Sequence, residues 1–277
     1  MYYVHGGNIE TKLNNEKSKA NRKLLKDIKK RYEQWKRLNE EITGITDDAI
    51  IKRVELLNDY KNFIDSPKYK KEKGNQGGFT SQSKLHSTVL EEFMYFLFKD
   101  IPRLQGKYIE YGPANAYANL YFAPANIDAF EKHTGITINT KNQDFAISKE
   151  IIIKSQAHND ALEEFNRIYV PIVSIECKTY IDKTMLEGSV ATAEKIKRGN
   201  PYSLFLIVTE TYDVSMDVDP KYSQIDQIYV LRKQTRRGGE LHPFANDVVI
   251  ELFQKVERHI ATDWKNIETR IDKGLMI

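Results

Sequence analysis

The spacing of apolar residues predicts three helices in the first hundred positions. Residues 10–43 contain no Gly or Pro, and their apolar positions recur at intervals of three and four in a lysine-rich stretch, as expected for one long helix with a narrow apolar stripe. Thr46 can cap a second helix that continues to about Phe63, and Ser83 can cap a third that continues to about Lys99. Residues 65–79 combine Pro, Gly and Lys and predict a mobile basic loop, either a linker or a flap over a nucleic-acid backbone.

The second half of the chain alternates between apolar runs and helical stretches. Strands are predicted over 143–147, 167–181, 202–212 and 224–234, and the alternation in the last of these indicates one solvent-exposed face. Helices are predicted over 157–167, 182–198 and 243–270, and 105–130 is interpreted as short strands and loops. Strands separated by helices indicate an α/β core.

Composition narrows the class of protein. With 277 residues, 40% hydrophobic and 29% charged, the chain suits one large globular domain or a core with an appendage. No apolar run approaches the roughly 20 residues of a membrane span, and the N-terminus lacks the layout of a secretory signal, so we expect a cytoplasmic protein without a membrane partner. The lone Cys177 cannot form an internal disulfide, and the scattered histidines and glycines favour neither a zinc site nor a phosphate loop.

The net charge of +3 conceals an uneven distribution. Residues 1–75 carry 18 Lys and Arg against 12 Asp and Glu, so this segment is +6 and the remainder is −3. A basic arm joined to a mildly acidic body suits a protein that contacts phosphate and also holds cations. A solvated helix explains the basic segment equally well.

The strand predicted over 167–181 holds two ionisable residues in an apolar run. Glu176 and Lys178 are two positions apart, so both face the same side of a strand, and burial of such charges is unfavourable unless they pair or bind a metal. Asp144 stands between apolar neighbours in the preceding strand candidate. Two carboxylates can hold Mg²⁺ together with water and phosphate oxygens, and a lysine can stabilise charge that develops during phosphodiester hydrolysis.

The Asp…Glu-x-Lys pattern has a second explanation. The same residues can form a structural ion pair between strands, and such triplets occur by chance in many chains. The context favours an active site, because Glu-x-Lys lies within a predicted buried strand, follows a strand that bears Asp144, and precedes a helix.

Two stretches of the chain resemble the PD-(D/E)xK nucleases, and more closely the type II restriction endonucleases of the DdeI/BbvCI type. They are FTSQSKLHSTVLEEFMYFLF (79–98) and IECKTYIDKTML (175–186). The resemblance implies a restriction-endonuclease-like α/β core, with a mixed central sheet flanked by helices, over residues 79–277. Residues 1–78 then form an N-terminal basic helical region with a flexible loop.

The resemblance also implies roles for individual residues. Asp144 and Glu176 are similar to the two metal-binding acids and Lys178 to the catalytic lysine, although Gln143 replaces the proline that names the motif. Glu92 resembles the extra catalytic glutamate that some members supply from an early helix, and its neighbour Glu91 is an open alternative. Asp128 is a less strand-like rival for the first acid.

Three segments contain candidate DNA contacts. The segment after the lysine faces DNA in this fold, the turn RKQTRRGG (232–239) offers Arg and Gln side chains that can read base edges, and the third segment precedes a helix. The candidates are Thr179, Tyr180, Asp182 and Lys183, then Arg232, Gln234, Arg236 and Arg237, and finally Ser81, Gln82 and Lys84. Asp182 can equally be a helix cap, and the turn a solvated hairpin.

The resemblance implies a Mg²⁺-dependent restriction enzyme that cleaves double-stranded DNA and leaves 5′-phosphate ends. The implied target is a short site built around CTNAG. The implied partners are a second copy or a related subunit, as a homodimer or heterodimer, and a cognate DNA methyltransferase. Two alternatives stay open: another nuclease of this fold that acts in repair, recombination or methyl-directed cleavage, and a non-catalytic DNA-binding protein.

Overall fold

Three helices form the N-terminal part of the fold. The computed structural model describes residues 3–71, 78–80, 83–158, 163–237, 239–264 and 267–274. The first helices are α1 (Val4–Asn15), α2 (Lys19–Glu41) and α3 (Asp47–Ile64). The single helix predicted over 10–43 is wrong, because the Ser18 hydroxyl caps α2 by accepting from the Asn21 amide at 3.4 Å. Glu16 also accepts from the Ser18 amide at 2.9 Å, and such local bonds compete with a continuous helix.

The other two predicted helix starts are confirmed. The Thr46 hydroxyl accepts from the Ala49 amide at the start of α3. After the short parallel strands β1 (Lys70–Lys71) and β2 (Phe79–Thr80), Ser83 accepts from the Leu85 amide and begins α4 (Lys84–Phe98). Capping uses only neighbouring residues, which explains why the sequence predicts these starts.

A mixed five-stranded sheet forms the centre of the molecule. Its strands, in spatial and chain order, are β3 (Ile109–Phe122), β4 (Ile136–Ser155), β5 (Glu164–Ile181), β6 (Leu204–Tyr212) and β7 (Gln227–Val230). The β3–β4 and β4–β5 pairs are antiparallel, and the β5–β6 and β6–β7 pairs are parallel. The remaining helices are α5 (Ile127–Lys132), α6 (Lys183–Gly199), α7 (Asn246–Ala261) and α8 (Ile267–Lys273).

Several predicted elements differ from the structure. Strand β3 replaces the short strands and loops expected over 105–130, and β4 extends far beyond the predicted 143–147. The helix predicted over 157–167 is wrong, because β5 already begins at Glu164; residues 159–162 lie outside the described part. The helix predicted over 243–270 is two helices, α7 and α8. The outer ends of β3, β4 and β5 expose apolar residues such as Ile152 and Phe165, so burial does not impose the alternation that predicts a strand.

The sheet is covered on both faces. One apolar cluster joins α2, α3, α4 and α7 to one face of the sheet, through residues such as Phe145, Ile175 and Val208. A second cluster packs α6 on the opposite face, through Ile196, Phe205 and Ile207. The helices before residue 79 therefore share a core with the sheet. Among the described helices, none is long and apolar enough to cross a membrane.

Candidate active site

The sheet register brings the three predicted catalytic residues together. Phe145 of β4 pairs with Ile175 of β5, so Asp144 lies beside the segment that contains Glu176 and Lys178. The Lys178 Nζ is 3.1 Å from Asp144 Oδ2 and 3.4 Å from Glu176 Oε2. One ammonium thus contacts both carboxylates.

Backbone and helix contacts hold the two carboxylates in place. Asp144 Oδ2 also accepts from the Cys177 amide at 2.9 Å. Ser189 on α6 donates its hydroxyl to Glu176 Oε2 at 2.6 Å. The position of α6 is set by Asp182, whose carboxylate accepts from the Met185 amide at 2.8 Å and caps the helix. Strand and helix together therefore orient the carboxylates before any ligand binds.

The electrostatics of the site keep the lysine charged. Burial tends to lower the pKa of Lys178, but the charges of Asp144 and Glu176 outweigh it and leave the pKa raised. The Cys177 thiol is 3% exposed and belongs to the apolar cluster, and burial raises its pKa well above the ordinary value. The two carboxylates thus favour the charged form of Lys178, while Cys177 is a buried core residue, as expected.

A cleft of about 580 Å³ opens beside the triad and is lined by Asp144, Lys178 and Glu91. Burial raises the pKa of Glu91 to about 8, with a further contribution from the charge of Asp144, against which Lys178 and Lys84 act. The carboxyl of Glu91 is therefore close enough for the charges of Asp144 and Lys178 to shift its pKa.

The expectation that Glu92 reaches the active site is wrong. Its carboxylate is 1% exposed and accepts from the amides of His5 at 2.9 Å and Gly6 at 3.2 Å, and from the Tyr32 hydroxyl at 2.8 Å. Consecutive helix positions point about 100° apart, so Glu91 faces the cleft while Glu92 fastens the start of α1 to α4.

A pattern in the sequence could have identified Glu91. Four polar residues of α4 line the cleft, and successive members are three, one and three positions apart: Lys84, Ser87, Thr88 and Glu91. Such a polar stripe on an otherwise apolar helix marks the face that meets the site.

The donor set fits a hard divalent cation. Asp144 and Glu176 both lie within 3.4 Å of one lysine nitrogen, so their oxygens converge, and Mg²⁺ commonly takes one or two carboxylates plus water and phosphate oxygens. In the described ranges, no three His, Cys, Asp or Glu side chains form a metal-binding group. The fit therefore depends on these two carboxylates.

The predicted DNA contacts near the triad have different positions. Thr179, Tyr180 and Lys84 line the cleft. Asp182 caps α6, and Lys183 is exposed at 3.9 Å from Glu187. The predicted contacts Ser81 and Gln82 lie outside the described residues.

The basic turn after β7 divides into buried and exposed residues. Arg232 is 3% exposed, with its Nε 3.1 Å from Glu210 Oε2 and its guanidinium 4.0 Å from the Phe244 ring. Its prediction as a DNA contact is contradicted, because it is part of the core. The signal for this pairing was absent from the sequence, since Glu210 is 22 positions away on another strand.

The other three residues of this turn lie nearer the surface. Gln234 accepts from the His242 amide at 2.5 Å and fastens the turn. Arg236 and Arg237 are exposed and lie 3.7 and 3.4 Å from Asp213. The Arg236 guanidinium stacks 3.6 Å from the centre of the Tyr180 ring, which links the turn to the edge of the cleft.

Comparisons with known proteins agree with this architecture. A family model described as Bpu10I restriction endonuclease matches residues 82–246, more than half of the chain. A chain of a solved structure titled "native BbvCI A2B2 tetramer at low resolution" is similar with a TM-score of 0.73 and 22% identity, over 94% of this chain and 97% of that chain. At this identity the similarity establishes the fold, which is restriction-endonuclease-like. A search of curated proteins gave no match.

Proposed function

The chain belongs to the Bpu10I restriction endonuclease family, and from this premise we propose that it cleaves double-stranded DNA at a specific sequence by Mg²⁺-dependent hydrolysis. The observation that supports this most is the convergence of Asp144, Glu176 and Lys178 beside an open cleft. An ion pair with a purely structural role has no need of an adjoining cleft or of a partly exposed lysine.

Asp144 and Glu176 are the residues that hold the metal in this proposal. When bound there, Mg²⁺ supplies Lewis acidity to the phosphate and to water. We assign to Glu91 the place that the sequence had suggested for Glu92, a carboxyl group supplied from the early helix to the triad. The carboxylates of Asp144 and Glu176 are oriented in advance by the Cys177 amide and the Ser189 hydroxyl.

Lys178 stabilises the charge that develops on the phosphate. Its ammonium is held by two carboxylates at 3.1 and 3.4 Å, so it needs little reorganisation as the transition state forms. In the reaction, the oxygen of a water molecule forms a bond to phosphorus and the P–O3′ bond breaks. O3′ takes up a proton, and the products are a 5′-phosphate and a 3′-hydroxyl.

We propose that cleavage of both strands requires two subunits. One cleft with one triad cuts one strand, and the similar solved structure is titled as an A2B2 tetramer. The partner is a second copy or a related subunit. We further propose a cytoplasmic enzyme that is paired with a DNA methyltransferase and recognises a site built around CTNAG.

Digestion of plasmid DNA with and without Mg²⁺ tests the proposal. We expect defined fragments with Mg²⁺ and intact plasmid when the metal is removed by EDTA. A smear contradicts site specificity and indicates a non-specific nuclease of the same fold. Plasmid that is bound but neither cut nor nicked in Mg²⁺, also when the partner subunit is present, contradicts catalysis and indicates a DNA-binding protein.

A further inference from the structure

A second cleft of about 410 Å³ adjoins the first, and both are lined by Thr179 and Tyr180. This basic cleft, as we name it, has four cationic side chains and two carboxylates in its lining. These are Lys61, Lys70, Lys71 and Arg236, with Asp65 and Glu210.

The carboxylates of the basic cleft are neutralised within the protein. Lys61, 1% exposed, places its Nζ 2.9 Å from Asp65 Oδ2 and 2.8 Å from Glu210 Oε1. Glu210 is also paired with Arg232 at 3.1 Å, and Asp65 with His86 Nδ1 at 2.9 Å. Buried charges of this kind require several partners, and together they make a rigid floor whose negative charge is already compensated.

The cations at the rim come from two segments that are distant in the chain. Lys71 is exposed and belongs to β1, while Arg236 belongs to the turn after β7 and stacks on Tyr180 at 3.6 Å. Lys70 also lines the cleft, with its Nζ 3.8 Å from Asp65 Oδ1. Two basic segments that the sequence could only suggest separately as DNA contacts therefore meet at one cleft.

The buried imidazole of His86 adds a polar group to the same lining. Its Nδ1 contacts Asp65, whereas its Nε2 is buried without a hydrogen-bond partner among the residues that the structure describes. A buried polar atom of this kind usually has a partner, so a ligand or water in the cleft can satisfy it.

We infer that the basic cleft binds a backbone phosphate of the DNA strand that enters the first cleft, with Lys71 and Arg236 as its phosphate-contacting residues. The inference rests on the proposed function. Phosphates on one strand follow each other at about 3.4 Å of helix rise, and the clefts share Thr179 and Tyr180. A strand with one phosphate at Lys178 therefore carries another within reach of the basic cleft. Lys71 and Arg236 act as positioning residues, because they hold the strand and do not contact the reacting atoms.

The salt dependence of DNA binding tests this inference. The variants are Lys71→Gln, Arg236→Gln and the double variant, with Lys221→Gln as a matched control, since Lys221 is an exposed lysine that lines neither cleft. The affinity for a short duplex of arbitrary sequence is measured between about 50 and 200 mM salt. The slope of log K against log salt is negative, and the loss of one phosphate contact reduces its magnitude by about 0.9. Because both residues are proposed to contact one phosphate, we expect the double variant to lose about 0.9 from the magnitude of the slope. Each single variant should lose no more than that, and the control should be unchanged.

Four outcomes are decisive. Equal slopes in the double variant, the control and the unaltered protein overturn the inference while leaving the proposed cleavage in place. Reduced slopes in a protein that binds but does not cut plasmid DNA in Mg²⁺ support the basic cleft and contradict the proposed catalysis. A protein that binds no DNA overturns both. A urea midpoint that shifts in the double variant but not in the control also overturns the inference, because Lys71 and Arg236 then have a structural role.

Discussion

The adjacent glutamates of α4 should respond to substitution in opposite ways. In Glu92→Ala, the amides of His5 and Gly6 and the hydroxyl of Tyr32 lose their acceptor. Three lost hydrogen bonds, two of them buried, at roughly 1 kcal/mol each amount to about 3 kcal/mol. Burial raises the pKa of Glu92 to about 7. At about pH 5.5 the unfolded chain has lost the Glu92 proton while the folded chain keeps it, so the raised pKa destabilises the fold. Removal of the carboxyl therefore stabilises the fold by about 1 kcal/mol. The expected net loss is about 2 kcal/mol.

Glu91→Ala is the matched variant. No donor loses its acceptor among the contacts that the structure describes. At about pH 5.5, removal of a carboxyl whose pKa is raised to about 8 also stabilises the fold by about 1 kcal/mol, so this variant should be as stable as the unaltered protein or slightly more stable. Glu91 lines the cleft with Asp144 and Lys178, and its removal should slow cleavage roughly 10- to 100-fold, as does loss of a supporting group at a metal site. Glu92→Ala should keep the cleavage rate within a few-fold.

Two measurements separate the glutamates. Urea unfolding, followed by tryptophan fluorescence, reports stability, because Trp35 packs 6.2 Å from Tyr32 in the region that Glu92 holds together. Single-turnover cleavage of plasmid DNA reports the site. The reasoning is refuted if Glu91→Ala loses as much stability as Glu92→Ala. It is also refuted if Glu92→Ala loses cleavage while folded and Glu91→Ala does not.

Three further predictions follow from the contacts described above. Lys61→Met should lower the free energy of unfolding by about 3–5 kcal/mol, because Asp65 and Glu210 lose the buried cation between them. The same substitution at the exposed Arg37 should lower it by less than about 1 kcal/mol, and equal urea midpoints would contradict the buried pairing. The pKa of Glu91 is raised to about 8, so the folded chain keeps a proton that the unfolded chain loses, and the free energy of unfolding should fall between about pH 4.5 and 8. Urea titrations across this range should show a smaller fall in Glu91→Gln. A pH profile identical to that of the unaltered protein would argue against the raised pKa. Cys177 is buried with a raised pKa, so iodoacetamide should modify it only after unfolding, and modification of the folded protein, detected by mass spectrometry, would contradict its placement.

Helix caps formed by neighbouring residues, and strands buried on both faces, made part of the fold predictable from the sequence. Thr46 and Ser83 cap helices through bonds within three residues, so the sequence contains the whole signal. Strand β6 and the inner half of β5 are covered on both faces, which imposes the continuous apolar runs that predicted them. The outer parts of β3 and β4 lack that cover, and their strand character depends on pairing with distant residues.

The candidate site was predictable in part for a related reason. The two-residue period of a strand placed Glu176 and Lys178 on one face, and their contact with Asp144 follows from the pairing of β4 with β5. The sequence showed two adjacent glutamates, Glu91 and Glu92, in a predicted apolar helix. The sequence could not reveal that Glu92 accepts a hydrogen bond from the His5 amide, 87 positions away, or that Arg232 pairs with Glu210.

Cleavage by a lysine variant tests the central claim most directly. Lys178→Ala removes the ammonium that lies 3.1 Å from Asp144 and 3.4 Å from Glu176, while Lys84→Ala removes another lysine of the same cleft as a control. Plasmid cleavage and duplex binding are measured for both in Mg²⁺. The account predicts that Lys178→Ala binds DNA and leaves the plasmid intact, whereas Lys84→Ala still cuts it. Cleavage by Lys178→Ala at the rate of the unaltered protein would contradict the account.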